Sequence, residues 1–163
     1  MNISKLLKKY NLSRSPYIFY DDGMPSMYFT VYENNEWQLY FTNNKEVQKV
    51  NFLQGYSINQ VTCFKKQDLY CVSFCSKMGE SNSLFYTETT NPIDFKIITS
   101  IAHNCKTGVI TPSKVIIIDQ QNHILIYENN PELINRDLTK EKPIKDLFFN
   151  FKDPLNISFN NGD

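Results

Sequence analysis

The chain has 163 residues, with 17 Lys and Arg balancing 17 Asp and Glu. That is enough length for one domain with a real core, and no net field recruits nucleic acid or an anionic membrane surface. Its 12 Phe and 10 Tyr against five Gly suit pleated, half-buried surfaces, so the expected class is all-β.

Residues 1–14 read as a helical arm. Ile3, Leu6, Leu7 and Tyr10 recur at i, i+3, i+4 and i+7, while Lys5, Lys8 and Lys9 take the opposite face. So short a segment with a single leucine pair binds a membrane weakly. Leu6 and Leu7 are therefore expected to pack on this domain or on a neighbour.

Residues 15–138 read as three units of four strands. The first unit has strands at Tyr17–Tyr20, Met27–Tyr32, Trp37–Thr42 and Val47–Phe52. The second has Val61–Phe64, Leu69–Cys75, Ser83–Glu88 and Phe95–Thr99. Gly108–Thr111, Lys114–Ile118, His123–Glu128 and a poorer strand near Leu133–Leu138 make the third. Short strands separated by polar turns match antiparallel meanders. Asn pairs such as Asn34-Asn35 tolerate left-handed turn geometry where Gly is scarce.

The units repeat. Leu39-Tyr40-Phe41, Leu84-Phe85-Tyr86 and Leu125-Ile126-Tyr127 each lie between two polar turns, at offsets of 84 − 39 = 45 and 125 − 84 = 41 residues. Those offsets fall within the period of four-stranded propeller blades. The expected fold is three four-stranded antiparallel propeller-like blades, with Leu39, Leu84 and Leu125 buried at equivalent positions. A β-sandwich or barrel is the alternative that short strands with regular turns also allow. Residues 139–163 form a separate C-terminal segment. There Ile144, Leu147, Phe148 and Phe151 at i, i+3, i+4 and i+7, between Pro143 and Pro154, favour a short amphipathic helix. Its Leu147 and Phe148 are candidate contacts for a partner.

No arrangement of catalytic or metal-binding residues stands out. Cys63, Cys71, Cys75 and Cys105 contain no CxxC pair, and Cys71 and Cys75 on one strand are too far apart to bridge. Buried free thiols are the expectation. The two histidines, His103 and His123, lack ligands at metal spacing. Asp21, Asp22 and Asp68 follow strands but do not align between units, as a pair of glycosidase carboxylates would require. Lys65-Lys66 and Lys140–Lys142 are too small for a nucleic-acid patch. No cofactor motif is present, and no apolar run has the length of a signal peptide or a membrane span. Trp37, the sole tryptophan, beside a polar turn and with Asp22 as a polar partner, is the candidate ligand site. Its ring suits stacking on a sugar or packing in the core.

Units of the form apolar strand, turn, L-[FY]-Y, polar turn and aromatic strand resemble β-propeller blades. Asn91-Pro92-Ile93-Asp94-Phe95 after Leu84-Phe85-Tyr86-Thr87 is similar to a turn of the propeller-bearing tail and nozzle proteins of phages. The five-bladed glycosidases are a second, weaker resemblance. The likeness spans about residues 15–138. It implies a non-catalytic structural or protein-interaction module of a phage particle or another multisubunit assembly, cytoplasmic or virion-associated. A carbohydrate-binding propeller is the alternative, and a glycoside hydrolase comes third. Three units are fewer than the roughly four to eight blades of a closed propeller. The expected partner is therefore a protein or a second copy meeting open blade faces.

Overall fold

The computed structural model describes residues 3–10, 16–43, 45–51, 57–78, 81–129 and 136–148. Among these residues a short helix, α1 (Ile3–Tyr10), precedes twelve strands. They are β1 (Tyr17–Asp21), β2 (Met24–Glu33), β3 (Glu36–Thr42), β4 (Val47–Lys49), β5 (Ser57–Lys66), β6 (Leu69–Met78), β7 (Ser81–Thr89), β8 (Thr99–His103), β9 (Cys105–Ile110), β10 (Lys114–Asp119), β11 (His123–Glu128) and β12 (Lys145–Phe148). They form three four-stranded antiparallel sheets with strands in sequence order, β1–β4, β5–β8 and β9–β12. Among the described residues no sheet closes on itself as a barrel.

The local chemistry of the turns explains the meanders. Asp21 pairs with Met24 across Asp22-Gly23, and Glu33 pairs with Glu36 across Asn34-Asn35. All four turn residues have positive φ, 49° and 77° in the first turn and 53° and 63° in the second. Two-residue turns of this hand match the twist of the flanking strands.

The sheets stack in a row, with the second in the middle. Alternation along β6 and β7 divides their apolar residues between two cores. Val72, Phe74 and Phe85 face the first sheet and pack with Phe19, Tyr28, Leu39 and Phe41. Cys71, Cys75, Leu84 and Tyr86 face the third sheet and pack with Cys105, Ile110, Val115, Ile117 and Tyr127. The first strand of each later sheet runs across the sheet before it, β5 over β1 and β3, and β9 over β5, β6 and β7. A central sheet buried on both faces distinguishes this row from a two-layer sandwich.

Two sequence expectations need correction. The third unit completes its sheet with β12, not with a strand near Leu133–Leu138. Residues 145–148 are extended and do not form the expected helix. Pairing decides this: His123, Ile124, Leu125 and Ile126 oppose Phe148, Leu147, Asp146 and Lys145, and the Ile144 amide donates to the Ile126 carbonyl at 2.7 Å. Cross-strand hydrogen bonds to β11 satisfy the backbone of a segment whose apolar spacing fits either structure. The expectations for residues 133–135 and for Phe151 lie outside the described residues.

The repeat also slips by one residue in its third unit. Leu39 and Leu84 are fully buried and face the following sheet. Leu125 is only half-buried and packs back onto the preceding one. The cause is turn length. Leu39 and Leu84 lie three residues beyond the first paired residue after a two-residue turn, Glu36 and Ser81. The third hairpin turns through Gln120, Gln121 and Asn122, which brings Ile126 into the equivalent position.

Candidate interaction surfaces

The junction of the first and second sheets is tied by polar as well as apolar contacts. The stretch Asn91–Phe95 holds the first sheet to the second. The Asn51 amide donates to the Ile93 carbonyl at 2.7 Å, and the Phe95 amide donates to the Asn51 carbonyl at 3.0 Å. The Tyr28 hydroxyl reaches the Pro92 carbonyl at 2.5 Å. At the rim of the same junction, the Lys65 ammonium lies 2.6 Å from Asp21 Oδ1, and the Tyr70 hydroxyl donates to Asp21 Oδ2. The Lys65 ammonium also stands 4.3 Å from the centre of the Tyr70 ring.

These contacts set the protonation states at the rim. Burial pushes the Asp21 carboxyl up, but the hydrogen bonds from Lys65 and Tyr70 and the Lys65 charge outweigh it, and the net shift is downward. Lys65 is raised, chiefly by its hydrogen bond to Asp21. Tyr70 is raised by burial and then by Asp21. The trio is a charged clasp between sheets, with both oxygens of the carboxylate engaged.

The outer face of the first sheet carries α1 over its centre. The Tyr10 ring lies 5.3 Å from Phe29 and 5.8 Å from Tyr40, with Met27, Val31 and Val47 around them. Tyr40 is pushed up to about 12, first by burial and then by its hydrogen bond to Glu33. The Leu6 and Leu7 side chains lie outside the described residues. Beyond the reach of the helix, Ile18 and Tyr20 on β1 stand open, Tyr20 at 72 % exposure. At the other end of the row, all four residues of β12 are exposed. Leu147 and Phe148, both expected to be contacts, are among them, and Phe148 is 62 % exposed. Ile144, next to the strand, is also exposed. On the face of the third sheet turned away from the second, Ile116 and Ile118 pair with Ile126 and Ile124, and both Ile116 and Ile118 are buried.

His123 opens β11 and fastens β12. Its Nδ1 is 2.7 Å from Asp146 Oδ1, and its ring centre lies 5.0 Å from that of Phe148. The Asp146 hydrogen bond raises the imidazole above its ordinary value. The sequence places His123 at the start of a strand and shows no partner for it. Only the position of β12 reveals its partner.

The residues expected to form a ligand site do not come together. Asp22 is an exposed turn residue at one end of β2. Trp37 pairs with Tyr32 near the other end, eight residues from Met24 and thus about 25 Å away along the strand. Trp37 does have an aromatic neighbour that sequence reasoning missed. The Tyr32 ring centre is 5.3 Å from that of Trp37 at an interplanar angle of 60°, and Tyr32 is exposed.

Among the described residues, no group of three or more His, Cys, Asp and Glu side chains is placed to hold a metal ion. No helix among them is long and apolar enough to cross a membrane. No protein-family model, curated protein or solved structure matches this chain.

Proposed function

We propose that this chain is a non-catalytic structural and protein-interaction module, a component of a multisubunit assembly such as a phage particle, that associates through the two ends of its row of sheets. The observation that carries this reading is the distribution of exposed apolar side chains. Ile18 and Tyr20 mark one terminal sheet, and Ile144, Leu147 and Phe148 mark the other, while the middle sheet is packed on both faces and its unit has one such residue among those described, Ile97 ahead of β8. Exposed apolar groups gathered at two ends are a common feature of association surfaces, and stacked repeats need caps or partners there. The acids also support it: Asp21 is held in an ion pair, and Asp22 and Asp68 are exposed turn residues.

Light scattering on the purified chain at micromolar concentration tests this reading. The expected result is a dimer or larger species that Tyr20→Asp and Phe148→Asp weaken without lowering the melting temperature. A monodisperse, folded monomer would overturn it.

A second reading, a carbohydrate-binding module, draws on the Tyr32–Trp37 pair, because inclined aromatic rings beside a polar turn suit stacking on a pyranose. Binding on a glycan array that disappears in Trp37→Ala would favour it. An array with no signal removes it.

A further inference from the structure

Resting on the association through the terminal sheets proposed above, we infer that the face of the first sheet under α1 is the docking surface for the third sheet of a second copy. Copies then join head to tail, and α1 moves aside to let them do so.

The first and second sheets share one register. Asp21 pairs with Met24 and Glu33 with Glu36 in the first, and Lys66 pairs with Leu69 and Met78 with Ser81 in the second. The offset is the same at both turns, 66 − 21 = 45 and 81 − 36 = 45 residues. Met27, Phe29 and Tyr40 therefore correspond to Val72, Phe74 and Phe85, and Ile18 corresponds to Cys63. In the second sheet all four counterparts are buried and face back onto the first. Side chains alternate along a strand, so Ile18, Met27, Phe29 and Tyr40 face backward from the first sheet, opposite to Phe19, Tyr28 and Leu39.

Among the described residues no sheet lies behind the first. In that place α1 sets Tyr10 against Phe29 and Tyr40, at 5.3 Å and 5.8 Å between ring centres, and Met27 and Phe29 are buried. The cover is partial. Ile18 is 48 % exposed, whereas Cys63, at the same place in the second sheet, is 1 % exposed. Tyr20, on the same face as Ile18, is open as well.

The chain shows twice what fits such a face. At each internal junction a sheet turns its backward face onto the forward face of the sheet before it, which buries Leu39 and then Leu84. Ile126 holds the equivalent position in the third sheet but is only half-buried. Ile124, also half-buried, and the exposed Leu147 opposite it share that forward face. The third sheet thus carries one side of a further junction and the first sheet carries the other. The two surfaces differ, so contact between copies is head to tail, closing a ring or extending the row. α1 competes with it. Copies bind only in the fraction of molecules whose helix has moved aside, and the apparent affinity is weakened by that fraction.

Light scattering on the intact chain over a concentration series tests this with three variants. Tyr10→Ser removes the ring that seats α1, so the apparent dissociation constant should fall roughly tenfold, the equivalent of one or two aromatic contacts. Tyr20→Asp spoils the backward face and Leu147→Asp the forward face, and both side chains are exposed, so the fold is kept. Each of these two alone should be monomeric at concentrations where wild type associates. Their equimolar mixture should give a 1:1 dimer through the one intact pair of faces. If wild type associates but the mixture stays monomeric, or Tyr10→Ser binds no more tightly, the head-to-tail contact is overturned while association through the terminal sheets stands. Monomers in every sample would overturn both.

Discussion

Within the junction of the second and third sheets, Leu84 makes a close approach to the backbone of Gly108. Leu84 is fully buried, and a Cβ added at Gly108 would meet Leu84 Cδ2 at 2.9 Å and the Ile116 carbonyl oxygen at 3.4 Å. Truncating Leu84 to Ala removes packing between two sheets that are each held by their own ladders, so the site collapses little. The cost should fall in the upper half of about 2–5 kcal/mol. Gly108→Ala alone forces the leucine aside and costs about 1–3 kcal/mol. In the double variant the new methyl enters the space left by the leucine. The two changes should then cost less together than their sum, by about 1–2 kcal/mol. Equilibrium urea unfolding, followed by circular dichroism and by Trp37 fluorescence, measures all three variants. Trp37 lies in the first sheet, so coincident transitions would also show that the row unfolds as one unit. Additivity within about 0.5 kcal/mol would refute this packing.

Three further outcomes follow from the polar groups and the thiols. Asp21→Asn keeps the shape of the rim clasp but removes its charge, and should cost about 1.5–3 kcal/mol by denaturant unfolding. Because the Asp21 carboxyl is held below its ordinary value, its contribution is present above the unfolded-state pKa and is lost as pH falls through the folded one. Unfolding midpoints of wild type and Asp21→Asn should converge in acid, and a constant gap would contradict the clasp. His123 is shifted the other way, so the attachment of β12 is strongest below the unfolded-state pKa of histidine and weakens as pH rises through the raised one. An NMR titration of His123 should show a lower pKa in Asp146→Asn than in wild type. With all four thiols buried, the native reduced protein should react with a thiol reagent far more slowly than the urea-unfolded chain. Equal rates would show that the cores are open.

Much of the architecture was legible because burial on alternate faces leaves a strong mark. Met27–Tyr32, Trp37–Thr42 and Ser83–Glu88 each lie inside an observed strand, and Asn34-Asn35 occupies the left-handed turn that its composition favours. Register was harder to read. Leu125 looks equivalent to Leu84 in sequence, but one extra turn residue between β10 and β11 shifts which side chain faces forward. The last strand was hidden because Ile144, Leu147 and Phe148 fit both periodicities, and only the open edge of β11 selects the extended form. Contacts across the row left no local signal. Asp21 and Lys65 are 44 residues apart and meet only once the sheets stack. The Trp37–Tyr32 pair was within reach of a hairpin argument, since a two-residue turn at Asn34-Asn35 places residues 32 and 37 opposite each other.

Association through the terminal sheets is most directly tested by amide hydrogen exchange on the same protein at low and at high concentration. The middle sheet is already packed on both faces, so β6 and β7 should exchange slowly and identically in both samples. Exchange in β1 and β12, beside the exposed Tyr20 and Phe148, should slow at the higher concentration. Identical exchange in every strand, or slowing confined to segments away from β1 and β12, would contradict it.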